Sequence, residues 1–173
     1  TGAPVRVSVP GPASSHAQPV VLFDFDGVLV AGDSFASVLR GLIVERWWRR
    51  VLALAVAPLA LPTLLRHRGK SAGAAIYMRI ALLGTEPVDF DARLRGFAQM
   101  LARNPSRVHA EAVAALSAHL AQGDRVLVVS GSEQRLVDEV LAALGVRGVE
   151  VVASRLAHER GRRRGQLGTR LPA

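Results

Sequence analysis

The sequence contains no cysteine. This absence excludes a disulfide framework, a thiolate metal site and a cysteine nucleophile, but it leaves the redox compartment open. Lysine is almost as rare, since Lys70 is the only one, so the net charge of +8 is carried by arginine. A basic balance indicates an acidic partner, which is a nucleic acid, an anionic membrane surface or a phosphorylated substrate.

Aromatic side chains are also scarce, with one tyrosine, two tryptophans and five phenylalanines. Proteins that bind single-stranded nucleic acid stack the bases on aromatic side chains, and this chain offers no such platform. It also has no pattern typical of a recognition helix. We therefore predict that it binds no nucleic acid.

Short apolar runs alternate with helical patterns over much of the chain. Residues 1–19 are rich in proline and glycine without periodicity, and we predict a disordered tail there. Apolar runs at residues 20–23, 125–129 and 149–153 predict buried parallel strands, with helices between them. This order is typical of a doubly wound α/β domain, which we assign to residues 20–35 and 104–173.

The first two predicted strands are separated by about a hundred residues, far more than a single crossover helix requires. Residues 36–103 contain helical patterns and no strand pattern. We therefore predict a helical cap, inserted directly after the first strand.

Two carboxylates follow the first predicted strand, in the run Asp24-Phe25-Asp26-Gly27. Ligands of open parallel sheets bind beyond the carboxyl ends of the strands. Two carboxylates at spacing i, i+2 repel each other unless a cation or a chemical role holds them. An acidic turn without function remains the alternative for this pattern taken alone.

The context of these residues resembles a known family. The run VVLFDFDGVL is similar to motif I of the haloacid dehalogenase superfamily, and VLVVSGS at residues 126–132 is similar to motif II. The large insert after motif I is typical of its phosphoserine-phosphatase-like branch (subfamily IB). The resemblance implies a Rossmann-like core and an Mg²⁺-dependent phosphatase.

The resemblance also implies roles for individual residues. Asp24 would attack the phosphorus and form an aspartyl-phosphate, and Asp26 would donate and accept protons. Mg²⁺ would be held by the Asp24 carboxylate and the Asp26 carbonyl. The phosphoryl group would be held by Ser130 and Gly131 at a helix N-terminus, with Gly27 beside them.

Two parts of the family pattern are absent from this sequence. No lysine follows Lys70, and no acidic residue follows Glu159. The family places a lysine and a second acidic motif after motif II. We therefore expect a C-terminally incomplete sheet, either because the chain is a truncated piece or because it is a defective copy, and its own activity stays open.

An uncharged apolar stretch of fifteen residues, 51–65, lies in the predicted cap between groups of arginines. It is shorter than the roughly 20 residues that span a bilayer, and Pro58 and Pro62 are expected to interrupt the helix. The pattern favours a segment that lies in the interface of an anionic membrane, with Trp47 and Trp48 at headgroup level. A buried helix of a soluble cap is the alternative.

The order of motif I, basic stretch and Leu/Pro-rich run resembles the phosphatidylglycerophosphatase C family. This resemblance implies a lipid phosphate such as phosphatidylglycerophosphate as substrate, at the cytoplasmic face of the membrane. One alternative is a cytoplasmic, phosphoserine-phosphatase-like enzyme acting on a small soluble phosphomonoester. Another is an inactive, truncated module peripheral to the membrane.

Overall fold

The computed structural model describes residues 20–65, 70–159 and 162–168. The tail predicted at residues 1–19 lies outside the described residues. The elements in chain order are β1 (Val20–Asp24), α1 (Ser34–Glu45), α2 (Trp47–Leu65), α3 (Lys70–Leu82), α4 (Pro87–Ala102), α5 (Ala110–Ala121), β2 (Arg125–Glu133), α6 (Gln134–Ala143), β3 (Glu150–Glu159) and β4 (Arg162–Gly168).

The chain divides into two compact units. Unit 1 comprises, of the described residues, 20–34 and Leu94–Ser154, and unit 2 comprises Phe35–Arg93 and Arg155–Gly168. Helix α4 therefore begins in unit 2 and ends in unit 1. Strand β3 begins in unit 1 and continues into unit 2.

Unit 1 is built on a parallel sheet in which β2 lies between β1 and β3. Alternate residues of the strands are buried, including Val21, Phe23, Val126 and Val128, because successive side chains of a strand point to opposite faces. Helix α6 buries a stripe of apolar residues, namely Leu136, Val137, Val140 and Leu141. The predicted α/β fold with a parallel, Rossmann-like sheet is confirmed.

The third strand is longer than the sequence indicated, and a fourth strand follows it. The sequence pattern predicted no strand after residue 153, but Arg162–Gly168 forms β4, which pairs antiparallel with β3. Backbone pairing of a hairpin satisfies N–H and C=O groups whatever the side chains are. A basic composition therefore did not prevent a strand.

Unit 2 is mainly helical, and α2 packs against α3. The expectation that Pro58 and Pro62 interrupt the helix is wrong, since α2 is continuous over Trp47–Leu65. Pro58 removes the donor that would bond the carbonyl of Leu54, whose residue is 74% exposed, so solvent can pair that carbonyl. No helix in the described part of the chain is both long and apolar enough to cross a membrane.

Arg49 is the most buried charged residue of unit 2, with an exposed fraction of 2%. Its Nη1 donates to the Leu42 carbonyl at 2.9 Å, and Nη2 donates to the Leu83 carbonyl at 2.7 Å and to Thr85 Oγ1 at 2.6 Å. Leu42 lies in the last turn of α1 and Leu83 directly follows α3. Arg49 therefore joins the negative ends of two helices.

Candidate active site

Asp24 is the last residue of β1 and pairs with Val129 of β2. Its side chain is exposed, and no residue of the described ranges donates a hydrogen bond to its carboxylate. The position follows from the sheet, because the carboxyl ends of parallel strands meet at one edge. The Asp24 carboxylate is thus open to a ligand at that edge.

A tight loop follows β1 and turns the chain back on itself. The Phe25 N–H continues the ladder to the Val129 carbonyl at 3.0 Å, and the Phe25 carbonyl accepts from Leu29 and Val30 at 3.1 and 3.0 Å. The Gly27 N–H donates to the Val30 carbonyl at 2.6 Å, with a φ of +93° that glycine adopts without steric cost. This loop places Asp26 beside the end of β2.

The Asp26 carboxylate accepts four hydrogen bonds, two on each oxygen. Oδ1 accepts from the Ser34 backbone N–H at 2.9 Å and from the Ser34 hydroxyl. Oδ2 accepts from the hydroxyls of Ser130 at 2.9 Å and Ser132 at 2.6 Å. Since the three serines are buried, these hydroxyls hold the carboxylate in one orientation.

The predicted phosphate-binding residues lie near Asp26 but not at a helix N-terminus. Ser130 and Gly131 belong to the end of β2, and α6 begins only at Gln134, with Glu133 accepting a hydrogen bond from the Leu136 N–H at 3.2 Å. The pairing register with β3 shifts between Ser130 and Glu133. The expectation of a helix N-terminus at Ser130 is therefore wrong, because the strand continues through this irregularity.

Gly131 and Gly27 provide space rather than fixed contacts. A Cβ built on either glycine would find no heavy atom within 4 Å. The Gly27 N–H already donates to a carbonyl within its own loop. Gly27 therefore offers the site open space beside its Cα. The structure thus brings Asp26 and Ser130 into contact, and leaves open volume next to the two glycines.

Sequence reasoning overlooked Ser34 and Ser132 as members of the site. The sequence motifs leave out Ser34 and include Ser132 only as the last residue of the run VLVVSGS. The available signal was the hydroxyl of Ser34 and the two hydroxyls of the run Ser130-Gly131-Ser132. Ser34 and Ser132 are 98 positions apart, yet their hydroxyl oxygens lie 3.4 Å from each other.

The oxygen atoms at this edge suit a hard cation such as Mg²⁺. The Asp24 carboxylate has no partner among the described residues, and within the same ranges the Asp26 carbonyl accepts no hydrogen bond. These two groups fit as ligands. The described residues contain no group of three or more histidine, cysteine, aspartate or glutamate side chains that could hold a metal ion.

The family model described as haloacid dehalogenase-like hydrolase matches residues 21–172. The chain belongs to this family. The match covers β1, the loop with Asp26 and the whole of β2, which carry the site.

Relatives by sequence include protein CicA of Caulobacter vibrioides, which is 34% identical over 130 residues. The match covers 75% of this chain and 56% of CicA. The chain therefore spans little more than half the length of the curated relative it matches.

Several solved structures share the fold. A Bordetella pertussis Tohama I protein of unknown function has a TM-score of 0.65 at 24% identity, covering 85% of this chain and 65% of that one. Cytosolic 5'-nucleotidase IIIB bound to cytidine has a TM-score of 0.53 at 14% identity, covering 88% and 53%. A phosphoserine phosphatase with a phospho-aspartyl intermediate analogue has a TM-score of 0.51 at 18% identity, covering 87% and 62%. At these identities the likeness concerns the fold.

Proposed function

We propose that this protein is a phosphatase that works through an aspartyl-phosphate on Asp24. The observation that carries the proposal is the contrast between two neighbouring carboxylates at one sheet edge. Asp24 is exposed and has no hydrogen-bond donor among the described residues, whereas Asp26 is held by four hydrogen bonds. A free carboxylate suits a nucleophile, and a fixed one suits a proton donor.

In this mechanism an Asp24 oxygen attacks the phosphorus and the bond to the leaving oxygen breaks. Asp26 gives a proton to the leaving oxygen, and later takes one from the water that hydrolyses the aspartyl-phosphate. The Ser130 hydroxyl and the Gly131 N–H hold oxygens of the phosphoryl group. The Asp24 carboxylate and the Asp26 carbonyl would hold Mg²⁺, which would neutralise charge between an anionic nucleophile and an anionic substrate.

We further propose a lipid phosphate, such as phosphatidylglycerophosphate, as the substrate. The support comes from one face of α2, where Trp47, Val51 and Leu54 are 71%, 54% and 74% exposed. Their spacing of i, i+4 and i+7 aligns them along the helix. Arg46 and Arg50 are exposed within one turn of Trp47, as an anionic membrane surface would require.

This face, which we call the α2 stripe (Trp47, Val51, Leu54), would lie in the headgroup region at the cytoplasmic side of the membrane. Burial there contributes roughly 25 cal/mol per Å² of apolar area. Each arginine near anionic lipid adds about 1 kcal/mol. Val51 and Leu54 belong to the segment that the sequence indicated, residues 51–65.

A small soluble phosphomonoester is the second candidate substrate class. It is favoured by the phosphoserine phosphatase and the nucleotidase among the proteins of similar fold, since both are named for soluble substrates. In that case the protein is cytoplasmic and the α2 stripe faces a protein surface. A third candidate, an inactive module peripheral to the membrane, follows from the lysine and the second acidic motif that the sequence does not contain.

The phosphatase proposal is tested with Asp24→Asn in the protein encoded by the complete reading frame. The substitution removes the attacking oxygen, so Mg²⁺-dependent hydrolysis of p-nitrophenyl phosphate should fall at least about a hundredfold. The melting temperature should stay near that of the wild type, because the Asp24 carboxylate has no protein partner in the described residues. Retention of more than about a hundredth of the rate contradicts the assignment.

The same assay applied to residues 1–173 separates the enzyme from the inactive module. We expect these residues alone to hydrolyse p-nitrophenyl phosphate no faster than their own Asp24→Asn variant. Two oxygen ligands bind Mg²⁺ weakly, because this cation gives up its water reluctantly. Clear Mg²⁺-dependent turnover by residues 1–173 would contradict this expectation.

The membrane proposal is tested by flotation with vesicles that contain anionic phospholipid. The wild type should float at low salt and less so at high salt. Leu54→Asp should abolish flotation, whereas Val88→Asp, at a residue of the same 74% exposure on α4, should not. Wild-type protein that stays in the soluble fraction at low salt would favour the soluble substrate.

A further inference from the structure

We propose that Ser34 and Ser132 are positioning residues that hold the Asp26 carboxylate. They keep it in place when the Ser130 hydroxyl gives up its hydrogen bond to Asp26 and binds the phosphoryl group instead. This inference rests on the proposed phosphatase function. The four residues belong to unit 1. All three serines are buried: Ser34 is 0% exposed, Ser132 is 3% exposed and Ser130 is 8% exposed.

Ser130 must exchange one hydrogen-bond acceptor for another, because a hydroxyl has only one proton to donate. Ser130 Oγ donates to Asp26 Oδ2 at 2.9 Å and accepts from the Ser132 backbone N–H at 2.9 Å. A hydroxyl has one proton to donate. Ser130 therefore cannot donate to a phosphoryl oxygen without breaking its hydrogen bond to Asp26.

Asp26 keeps a hydrogen bond on each oxygen after that exchange. Oδ1 retains the N–H and hydroxyl of Ser34, and Oδ2 retains the Ser132 hydroxyl at 2.6 Å. The two serines hold the carboxylate from different elements, since Ser34 is the first residue of α1 and Ser132 lies near the end of β2. One bond on each oxygen is enough to keep the carboxylate plane from rotating.

The exchange also distinguishes the two oxygens of Asp26. Oδ1 keeps both of its donors, whereas Oδ2 is left with Ser132 alone. Oδ2 thus gains an unoccupied lone pair at the moment when the phosphoryl group is held. It is the oxygen that passes the proton to the leaving group and takes one back from water.

The first experiment compares two substrates with different leaving groups, p-nitrophenyl phosphate and glycerol 3-phosphate, in the protein of the complete reading frame. An alkoxide needs protonation far more than p-nitrophenoxide, so a misplaced acid should harm the second substrate more. Ser34→Ala and Ser132→Ala should each lower kcat for glycerol 3-phosphate by about tenfold to a hundredfold. Turnover of p-nitrophenyl phosphate should fall by less than about threefold, and KM should stay unchanged for both.

Two further variants separate positioning from phosphate binding and from general damage. Ser130→Ala should raise KM for both substrates, because it removes a contact to the phosphoryl group itself. Ser117→Ala removes an exposed hydroxyl that bonds only the Val113 carbonyl of its own helix, and should change nothing. Equal losses for both substrates in Ser34→Ala and Ser132→Ala would overturn the inference.

The second experiment needs no turnover and uses residues 1–173. Ser34→Ala should lower the melting temperature by about 3 to 6 °C when Asp26 is present, because a donor to a carboxylate is lost. In a protein that already carries Asp26→Ala, Ser34→Ala should hardly change the melting temperature. The same double-mutant comparison with Ser132→Ala should give the same result. If neither serine is coupled to Asp26, the inference is wrong.

The two experiments keep this inference apart from the phosphatase proposal. If no variant shows turnover but both serines are coupled to Asp26, the proposed function is overturned and the role of the serines in holding Asp26 is supported. A protein with turnover and no coupling leaves the phosphatase in place and overturns the role of Ser34 and Ser132.

Discussion

In each of the two units, a charged group is shielded from water without an ion pair. In unit 1 this group is the half-buried Asp26 carboxylate, and in unit 2 it is the Arg49 guanidinium, which is 2% exposed. Neither forms a salt bridge with any described residue. Burying an unpaired charge is costly unless hydrogen bonds replace the lost water, and both groups have them.

The two groups differ in the kind of atom that surrounds them. Asp26 is bonded mainly by serine hydroxyls, which can rotate and exchange partners. Arg49 is bonded to two main-chain carbonyls and Thr85, and the carbonyls are fixed by their helix ends. Adjustable partners suit a group that must change its protonation, whereas fixed partners suit a permanent structural contact.

The surroundings of Arg49 support this distinction. Its Nε is buried without a hydrogen-bond partner, and its guanidinium carbon lies 5.2 Å from the centre of the Trp48 ring. Burial lowers the pKa of Arg49, and the nearby positive charge of Arg46 lowers it further. An arginine nevertheless remains charged at neutral pH, so Arg49 is a constant charge and cannot serve as an acid or base.

The largest effect on stability is expected for Arg49→Ala, which leaves two helix-end carbonyls without their donor. The free energy of unfolding should fall by about 2 to 4 kcal/mol. Arg49→Met keeps most of the apolar stem and should cost less than Arg49→Ala. Urea denaturation of the three proteins measures both differences.

The exposed neighbour Arg50 is the matched control for Arg49. Arg50→Ala should change the free energy of unfolding by no more than about 0.5 kcal/mol, as surface substitutions usually do. If both substitutions lowered the free energy of unfolding by a similar amount, the buried hydrogen bonds of Arg49 would contribute no more stability than an exposed arginine does.

A smaller and paired effect is expected for the glycines beside the two charged groups. Gly27 follows Asp26 with a φ of +93°, and Gly84 follows Leu83, whose carbonyl Arg49 binds, with a φ of +68°. No atom lies within 4 Å of a Cβ at either position. Gly27→Ala and Gly84→Ala should therefore each cost about 1 to 2 kcal/mol of stability, from backbone strain alone.

Gly27→Ala and Gly84→Ala should differ in their effect on phosphatase activity, although they should lower stability by similar amounts. Gly27→Ala introduces a methyl group into the open volume beside Gly27 and strains the loop that positions Asp26. It should lower phosphatase turnover at least tenfold, since small displacements of catalytic groups are costly. Gly84→Ala should retain near wild-type turnover, and an equal loss of activity would show that the two regions are not functionally distinct.

The smallest effect is expected for the exposed pair of Arg125 and Glu150, which are bonded at 2.6 and 2.8 Å. The hydrogen bond from Arg125 lowers the pKa of Glu150, and the same contact raises the pKa of Arg125. A lowered carboxyl pKa contributes stability above its unfolded value, and this contribution is lost as the pH falls through the folded value. The raised pKa of Arg125 acts only at strongly alkaline pH.

Glu150→Gln should therefore lower the urea midpoint slightly at neutral pH. The difference from the wild type should vanish in acid below the pKa of Glu150 and also at high salt, because exposed pairs are screened. A difference that persists in both conditions would show that this pair does not behave as an exposed one.

Local pattern was sufficient to predict the three parallel strands and the two carboxylates. Val21 and Phe23 form an apolar run that suits a buried strand, and Asp24 and Asp26 follow it at the edge where ligands bind in parallel sheets. These features depend on neighbours in sequence, so they could be recognised there. The resemblance to motif I and motif II led to the family that the comparison then established.

The partners of these carboxylates depend on parts of the chain that are far apart in sequence. Ser34 and Ser132 reach the same carboxylate only because β1 and β2 pair in one register, which no local pattern specifies. The burial of Arg49 depends likewise on packing within unit 2. Short-range periodicity therefore sufficed for the parallel strands and the reactive residues, whereas the hydrogen bonds that hold these residues required long-range contacts of the folded chain.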